Sequence, residues 1–222
     1  LEILYEDNHL LVVNKPAGLP TMGTPAGRPT LLSLAKLYVK DRYQKPGNVY
    51  LGVMSRLDAP VTGVVLLART SKSAARLTEQ FRGRSVEKTY WAVVEGILSA
   101  ASGTLVDWLG HDDRHRRMHV VGATFSGARE ARLSFRRLRR TGQNSWIEVE
   151  LETGRKHQIR LQLANHGHPI VGDRKYGSRQ PFPLGIALHA RRLAISHPIS
   201  AERLSFEAPL PKTWQSFGIE LG

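Results

Sequence analysis

A chain of 222 residues with 41% hydrophobic and 23% charged residues is long enough to bury a continuous core, and it has no apolar run long enough to span a bilayer. It contains no Cys, which excludes disulfides, thiol nucleophiles and cysteine-bound metal or iron–sulfur centres. Thirty-two Lys and Arg against 19 Asp and Glu leave a net charge of +13, a surplus that points to a polyanion and makes nucleic acid the leading partner. The surplus is uneven. Residues 1–60 carry seven cations against five anions, whereas residues 155–192 carry eight against only Asp173, so phosphate contacts are expected on the later half. The alternative is a generically basic protein, in which clustered like charges would only repel. Leu1 to Asp7 show neither a cationic start nor an apolar signal core, and the expected location is the cytoplasm.

In chain order, Ile3–Tyr5 and Leu10–Asn14 read as short strands split by the turn signal Glu6-Asp7-Asn8. Met22–Pro29, rich in Gly and Pro, is a loop, and Thr30 is placed to cap a helix whose Leu31, Leu34, Ala35 and Tyr38 recur at helical spacing until about Pro46-Gly47. Gly63–Ala68 is an apolar run too short for a helix and reads as a strand covered on both faces. Ser71 is the expected cap of a second helix, Lys72–Arg82, closed by Gly83. Strands are expected again at Thr89–Val94, Met118–Val121, Ala131–Arg136 and Ile147–Glu152, the last two joined by a hairpin turn at Thr141–Asn144. A third helix opens after Arg155 and closes at Gly167. Strands linked by turns with occasional helices predict an α+β fold with a mixed, mainly antiparallel central sheet flanked by helices. No repeat or long linker interrupts it, so residues 1–222 are read as one body.

There is no phosphate-binding glycine loop and no serine-hydrolase elbow. Three constellations stand out instead. Ser55-Arg56-Leu57-Asp58-Ala59-Pro60-Val61-Thr62-Gly63 holds a carboxylate at the edge of a buried strand, although an Asp beside Pro and Gly is also the usual maker of an Asx turn. Thr153-Gly154-Arg155-Lys156-His157-Gln158-Ile159-Arg160 sets Arg155 at a strand-to-helix turn, where a guanidinium can fork onto a carboxylate or phosphate or simply sit at the surface. Lys88-Thr89-Tyr90-Trp91 places two aromatics on opposite faces of one strand, one for the core and one for stacking.

These blocks resemble the RluA-like branch of the pseudouridine synthases. The resemblance runs from Leu11-Val12-Val13-Asn14-Lys15-Pro16-Ala17-Gly18 through Arg56-Leu57-Asp58, Lys88-Thr89-Tyr90 and Thr153–Arg160. It continues in Gly167-His168-Pro169-Ile170-Val171-Gly172-Asp173 with Tyr176-Gly177, and in Leu188-His189-Ala190 with His197-Pro198. It implies a catalytic cleft in which Asp58 is the catalytic residue, Tyr90 stacks on the target base, Arg155 pairs with Asp58, and Arg56 fills the space left by a flipped nucleotide. Lys88, His157 and Arg160 are expected to join them as RNA contacts. The family usually has His before Arg-Leu-Asp, Arg after it and Thr-Ser-Gly closing the block, where this chain has Ser55, Ala59 and Val61-Thr62-Gly63. No small RNA-binding module like that at the front of many relatives is expected here.

The implied reaction breaks the N1–C1′ bond of uridine, turns the uracil and rejoins it through C5, so it needs no redox partner and no cofactor. Asp58 must be ionised whether it adds to the sugar, adds to the ring or removes a sugar proton. Burial opposes that state, and a forked Arg155 should favour it. The expected substrate is structured ribosomal or transfer RNA, bound by a monomer without metal or membrane. Arg114, Arg116 and Arg117, with the cluster Arg136–Arg140, would footprint the backbone by contacts that position without reading sequence, unless they form an ordinary solvated face. His111, Asp112, His115 and His119 have a spacing that could hold zinc on a helix, but residues four apart on a strand sit roughly 13 Å from each other, beyond ligation. Two rivals follow: an RNA-binding relative without turnover, and a metal-dependent nuclease on His111, Asp112 and His115.

Overall fold

The computed structural model describes residues 1–23, 27–112 and 117–219. Its elements in chain order are β1 (Glu2–Glu6), β2 (Leu10–Lys15), α1 (Leu31–Arg42), β3 (Gly52–Val53), β4 (Thr62–Ala68), α2 (Ser71–Arg82), β5 (Glu87–Glu95), β6 (Ser102–Asp112), β7 (Arg117–Val121), β8 (Arg129–Thr141), β9 (Asn144–Leu151), α3 (Gln158–Asn165), β10 (Leu188–Ser196) and β11 (Arg203–Glu207), with short 3-10 turns at Arg174–Tyr176 and Lys212–Phe217. They make up two compact units: Leu1–Lys88 with Ala190–Pro211, and Thr89–His189 with Lys212–Leu221. The architecture is α+β and mainly antiparallel: β1–β2, β2–β4, β3–β4 and β10–β11 pair antiparallel in the first unit, and β5–β9, β8–β9, β6–β8 and β6–β7 in the second.

In the first unit the strands lie in the order β1-β2-β4-β10, with β3 on β4 and β11 on β10. The apolar run expected to be covered on both faces is β4, and every one of its residues is buried. Leu10 and Val12 of β2, Val64 and Leu66 of β4, Leu77 of α2, Leu193 and Ile195 of β10 and Phe206 of β11 pack into one cluster. Each such side chain contributes about 1.5–3 kcal/mol by leaving water. Thr30 caps α1 reciprocally: its hydroxyl accepts the Ser33 N–H at 3.1 Å while the Ser33 hydroxyl accepts the Thr30 N–H at 2.9 Å. The helix ends at Arg42, short of Pro46, because the next turn is taken up by Tyr43 and by Gln44 at φ 47°. The Tyr38 and Tyr43 hydroxyls donate to Glu6 at 2.8 and 2.9 Å and tie that end to β1. The cap of α2 is Thr70 rather than Ser71, since the Thr70 oxygen accepts the Ser73 N–H and Ser71 is already helical.

The second unit carries the order β5-β9-β8-β6-β7. The β8–β9 hairpin closes where the turn signal stands, with Thr141 opposite Asn144 and Gly142 at φ 60°. β6 was not among the expected strands. Its composition is too polar and glycine-rich to announce one, and it is held by neighbours on both edges, Ser102 opposite Arg136 on β8 and Trp108 opposite Val121 on β7. Leu161 of α3 packs with Leu109 and Ala131 against this sheet, with Met118, Val120 and Tyr176 around them. No helix among the described residues is long and apolar enough to cross a membrane.

Candidate active site

The loop carrying Asp58 is shaped by its main chain. A single hydroxyl, that of Thr21, donates to the Leu57 carbonyl at 2.7 Å and accepts the Leu57 N–H at 3.1 Å. The Val61 N–H closes a turn on the Asp58 carbonyl at 3.0 Å, and the Gly18 N–H reaches the Ala59 carbonyl at 2.8 Å. Leu57 is buried, Asp58 half-buried and Arg56 exposed, so this short segment points its cation outward and keeps its carboxylate at the edge of the core. The turn ends at Gly63, whose φ of 113° and whose approach to Ala190 forbid a side chain: a Cβ there would stand 2.3 Å from the Ala190 carbonyl oxygen. Ser55, one of the departures from the family pattern, has a local task. Its hydroxyl accepts the Leu66 N–H of β4 at 3.0 Å.

Behind the loop lies Lys15, fully buried at the end of β2. Its ammonium donates to the carbonyls of Pro16 at 2.8 Å, Leu19 at 2.8 Å and Ala59 at 3.1 Å, a full complement for three N–H donors. Loss of solvent pulls this amine down to about 8, and the negative charge of Asp58 pulls the other way. Lys15 is therefore a cation that the fold of the first unit brings near Asp58. Sequence reading quotes it only within the Leu11–Gly18 block. Lys15 shares one face of β2 with Leu11 and Val13, but the opposite face, with Leu10 and Val12, is buried as well, so alternation alone does not mark it.

On β5, Trp91 is the aromatic committed to packing. Its ring meets Trp146 edge-on at 5.0 Å, and its Nε1 donates to Glu148 at 3.2 Å. Tyr90, opposite Val149, faces the other side of the strand. Lys88 is half-buried, and desolvation followed by the charge of Arg84 lowers its affinity for a proton.

Arg155 stands in a tight turn between β9 and α3. Its Nε donates to the Glu130 carbonyl at 3.0 Å. Gln158, which sequence reading passed over, fastens that turn: its Oε1 accepts both the Thr153 hydroxyl at 2.8 Å and the Arg155 N–H at 2.9 Å, and its Nε2 donates to the Arg132 carbonyl at 3.1 Å. His157 is the residue before α3, at φ 56° and ψ 20°, with its Nδ1 2.6 Å from the Tyr176 hydroxyl.

The expectation for Arg160 needs correction. It is buried, and its Nε and Nη2 fork onto the two Asp173 oxygens at 2.7 and 2.8 Å, so it holds the interior of the second unit together rather than presenting a cation to RNA. In the Arg136–Arg140 cluster, Arg136, Arg139 and Arg140 are exposed and Arg137 is half-buried, and three of the four also bond within the molecule. Arg136 donates to Glu148 at 2.8 Å, Arg137 to the Leu98 carbonyl, and Arg139 to the Gly218 carbonyl while lying over the Trp146 ring at 5.3 Å. Arg114, His115 and Arg116, and the side chain of Arg117, lie outside the described residues. His119 Nδ1 comes within 3.8 Å of Asp112, and among the described residues no group of three or more His, Asp or Glu is placed to hold a metal ion.

A family model described as RNA pseudouridylate synthase matches residues 9–165. The ribosomal large subunit pseudouridine synthase D of Pseudomonas aeruginosa is 37% identical over 231 residues, covering 96% of this chain and 69% of that protein. An uncharacterized RNA pseudouridine synthase of Synechocystis sp. is 36% identical over 227 residues, covering 100% of this chain and 69% of its own length. Among solved structures, human RNA pseudouridylate synthase domain containing 4 superposes with a TM-score of 0.81 at 26% identity, over 99% of this chain and 94% of that one. The class so defined is an isomerase that acts on RNA. The chain belongs to the RNA pseudouridylate synthase family, on its RluA-like branch.

Proposed function

We propose that this enzyme converts uridines in structured RNA, ribosomal RNA foremost and transfer RNA as the second candidate, with Asp58 as the catalytic carboxylate. The observation that carries the proposal is the Asp58 loop itself: a half-buried carboxylate between main-chain clamps, with the buried ammonium of Lys15 as its near positive charge. A rigid backbone with a fixed counter-charge keeps a carboxylate placed without reorganisation during the reaction. Isomerisation exchanges the N1–C1′ bond for a C5–C1′ bond, with one proton leaving C5 and one arriving at N1, so the balance closes within the substrate. Tyr90 and Arg155 take the roles that the family resemblance gives them, a platform for the extruded base and a counter-charge, and exposed Arg56 is the wedge. Extrusion costs a few kcal/mol, which stacking on an aromatic ring offsets in part. Ribosomal RNA is favoured because several relatives are ribosomal large subunit enzymes by name. The protein is taken to work as a monomer in the cytoplasm.

The test is carbodiimide mapping of pseudouridine in RNA from cells with the gene, without it, and with Asp58→Asn in its place. A uridine modified only in the first case names substrate and catalyst together. Binding of RNA without any site lost on deletion would favour the alternative, a relative that binds and does not turn over.

A further inference from the structure

The turn that presents Arg155 contains a residue in a conformation its side chain does not favour. The Gln158 N–H bonds to the Arg155 carbonyl at 3.2 Å, so residues 155–158 form a β-turn with His157 at its third position. His157 has φ 56° there, in the left-handed region where Gly or Asn is the easy choice and other residues cost about 1 kcal/mol or more. His157 is also the N-cap of α3 and makes no side-chain capping bond, so the usual gain from a polar cap is absent.

The ring is held by something else. Its Nδ1 lies 2.6 Å from the Tyr176 hydroxyl, and the two rings meet edge-on at 5.7 Å. Tyr176 is itself fixed on several sides. It ends the short 3-10 turn Arg174–Tyr176, its N–H bonds to the Asp173 carbonyl at 3.0 Å, and Gly177 follows at φ 94°. Its ring lies 5.1 Å from the Arg160 guanidinium, which is locked onto Asp173. The Asp173–Arg160 pair, the Tyr176 ring and the His157 imidazole thus form a chain of contacts that ends at the Arg155 turn. Gln158 fastens the same turn from the β8 side.

We propose that His157 and Tyr176 are positioning residues: their contact stabilises the left-handed backbone at His157 and thereby fixes the direction in which Arg155 leaves the turn. The inference rests on the reading that Arg155 serves the reaction. It gives the Gly172-Asp173…Tyr176-Gly177 block a task, and it moves His157 from RNA contact to support.

The experiment compares Tyr176→Phe, His157→Gly, the double variant and Arg155→Lys in single-turnover and steady-state pseudouridine formation, with RNA affinity and thermal unfolding measured on the same preparations. Tyr176→Phe keeps the ring against Arg160 and removes only the hydroxyl. His157→Gly removes the ring and the strain together, since Gly takes the left-handed turn freely. Tyr176→Phe is expected to lower kcat about tenfold and His157→Gly by less, each with KM for RNA within about twofold of the parent, and the double variant is expected to match His157→Gly, because a Gly backbone no longer needs the contact. A rise in KM with unchanged kcat for His157→Gly would return His157 to the RNA interface and overturn the proposal. Independent, multiplying losses in the double variant would also overturn it. If Arg155→Lys turns over normally, the reading of Arg155 fails. If Arg155→Lys is crippled while Tyr176→Phe is not, the positioning proposal alone fails.

Discussion

Replacing Lys15 by Met keeps the length and apolar stem of the side chain and removes the ammonium. The carbonyls of Pro16 and Leu19 lose their donor, whereas Ala59 keeps the Gly18 N–H at 2.8 Å. Two bonds from a charged donor are worth about 1.5–3 kcal/mol each, a gross loss of about 3–6 kcal/mol. Against this, holding an ammonium at about 8 instead of 10.5 means that burying its charge costs roughly 3 kcal/mol, which the substitution returns. The net destabilisation is therefore about 0–3 kcal/mol, small enough for the variant to fold. Catalysis should suffer more, because the same ammonium supplies positive charge to Asp58 and tethers the carbonyl of the next residue. A kcat at least about tenfold lower, ~1.4 kcal/mol in barrier, is expected at unchanged RNA affinity. The pH dependence supplies a second reading with opposite signs. The folded amine loses its proton near 8 and the unfolded one near 10.5, so in that window the unfolded chain binds more protons and this group makes stability rise with pH. Turnover should fall over the same limb, since a neutral amine donates two bonds and carries no charge. Urea unfolding and single-turnover assays from roughly pH 7 to 8.5 measure both. A folded Lys15→Met variant with parental kcat, or one that retains the parental alkaline decline, would refute the assignment.

Three further outcomes can be checked directly. Tyr90→Phe is expected to keep most activity and Tyr90→Ala to lose about 1–3 kcal/mol of base stacking, roughly five- to 150-fold in kcat/KM, whereas equal losses would transfer the role to the hydroxyl. Gly63→Ala should not yield folded protein, because its Cβ would sit 2.3 Å from a backbone oxygen at a φ of 113°; a parental Tm would contradict the close approach at Ala190. Arg160→Met should destabilise by about 3–5 kcal/mol by orphaning Asp173, and adding Asp173→Leu should recover much of it, a coupling that a double-mutant cycle in urea would detect.

What the sequence made legible depended on how local each cause was. β4, the β8–β9 hairpin and the Thr30 cap follow from runs, turn residues and spacings within a dozen positions, and they stand where expected. The turn that holds Asp58 follows in the same way from Pro60 and Gly63, whereas the role expected of its carboxylate came from the family resemblance. The fate of long charged side chains was not legible. Arg160 looks like any basic residue until Asp173 is brought to it, and Arg137 becomes a clamp only because Leu98 lies beside β8. Lys15 reads as a surface lysine until the carbonyls of Pro16, Leu19 and the distant Ala59 are gathered around its ammonium. The left-handed backbone at His157 had no glycine to announce it.

The shape around Asp58 is written in carbonyls, amide hydrogens, one threonine hydroxyl and one buried ammonium, none of which belongs to the side chain at position 59. That separation has an evolutionary meaning. The residue next to the carboxylate can be exchanged, as Ala59 has been here, while the frame that aims the carboxylate persists.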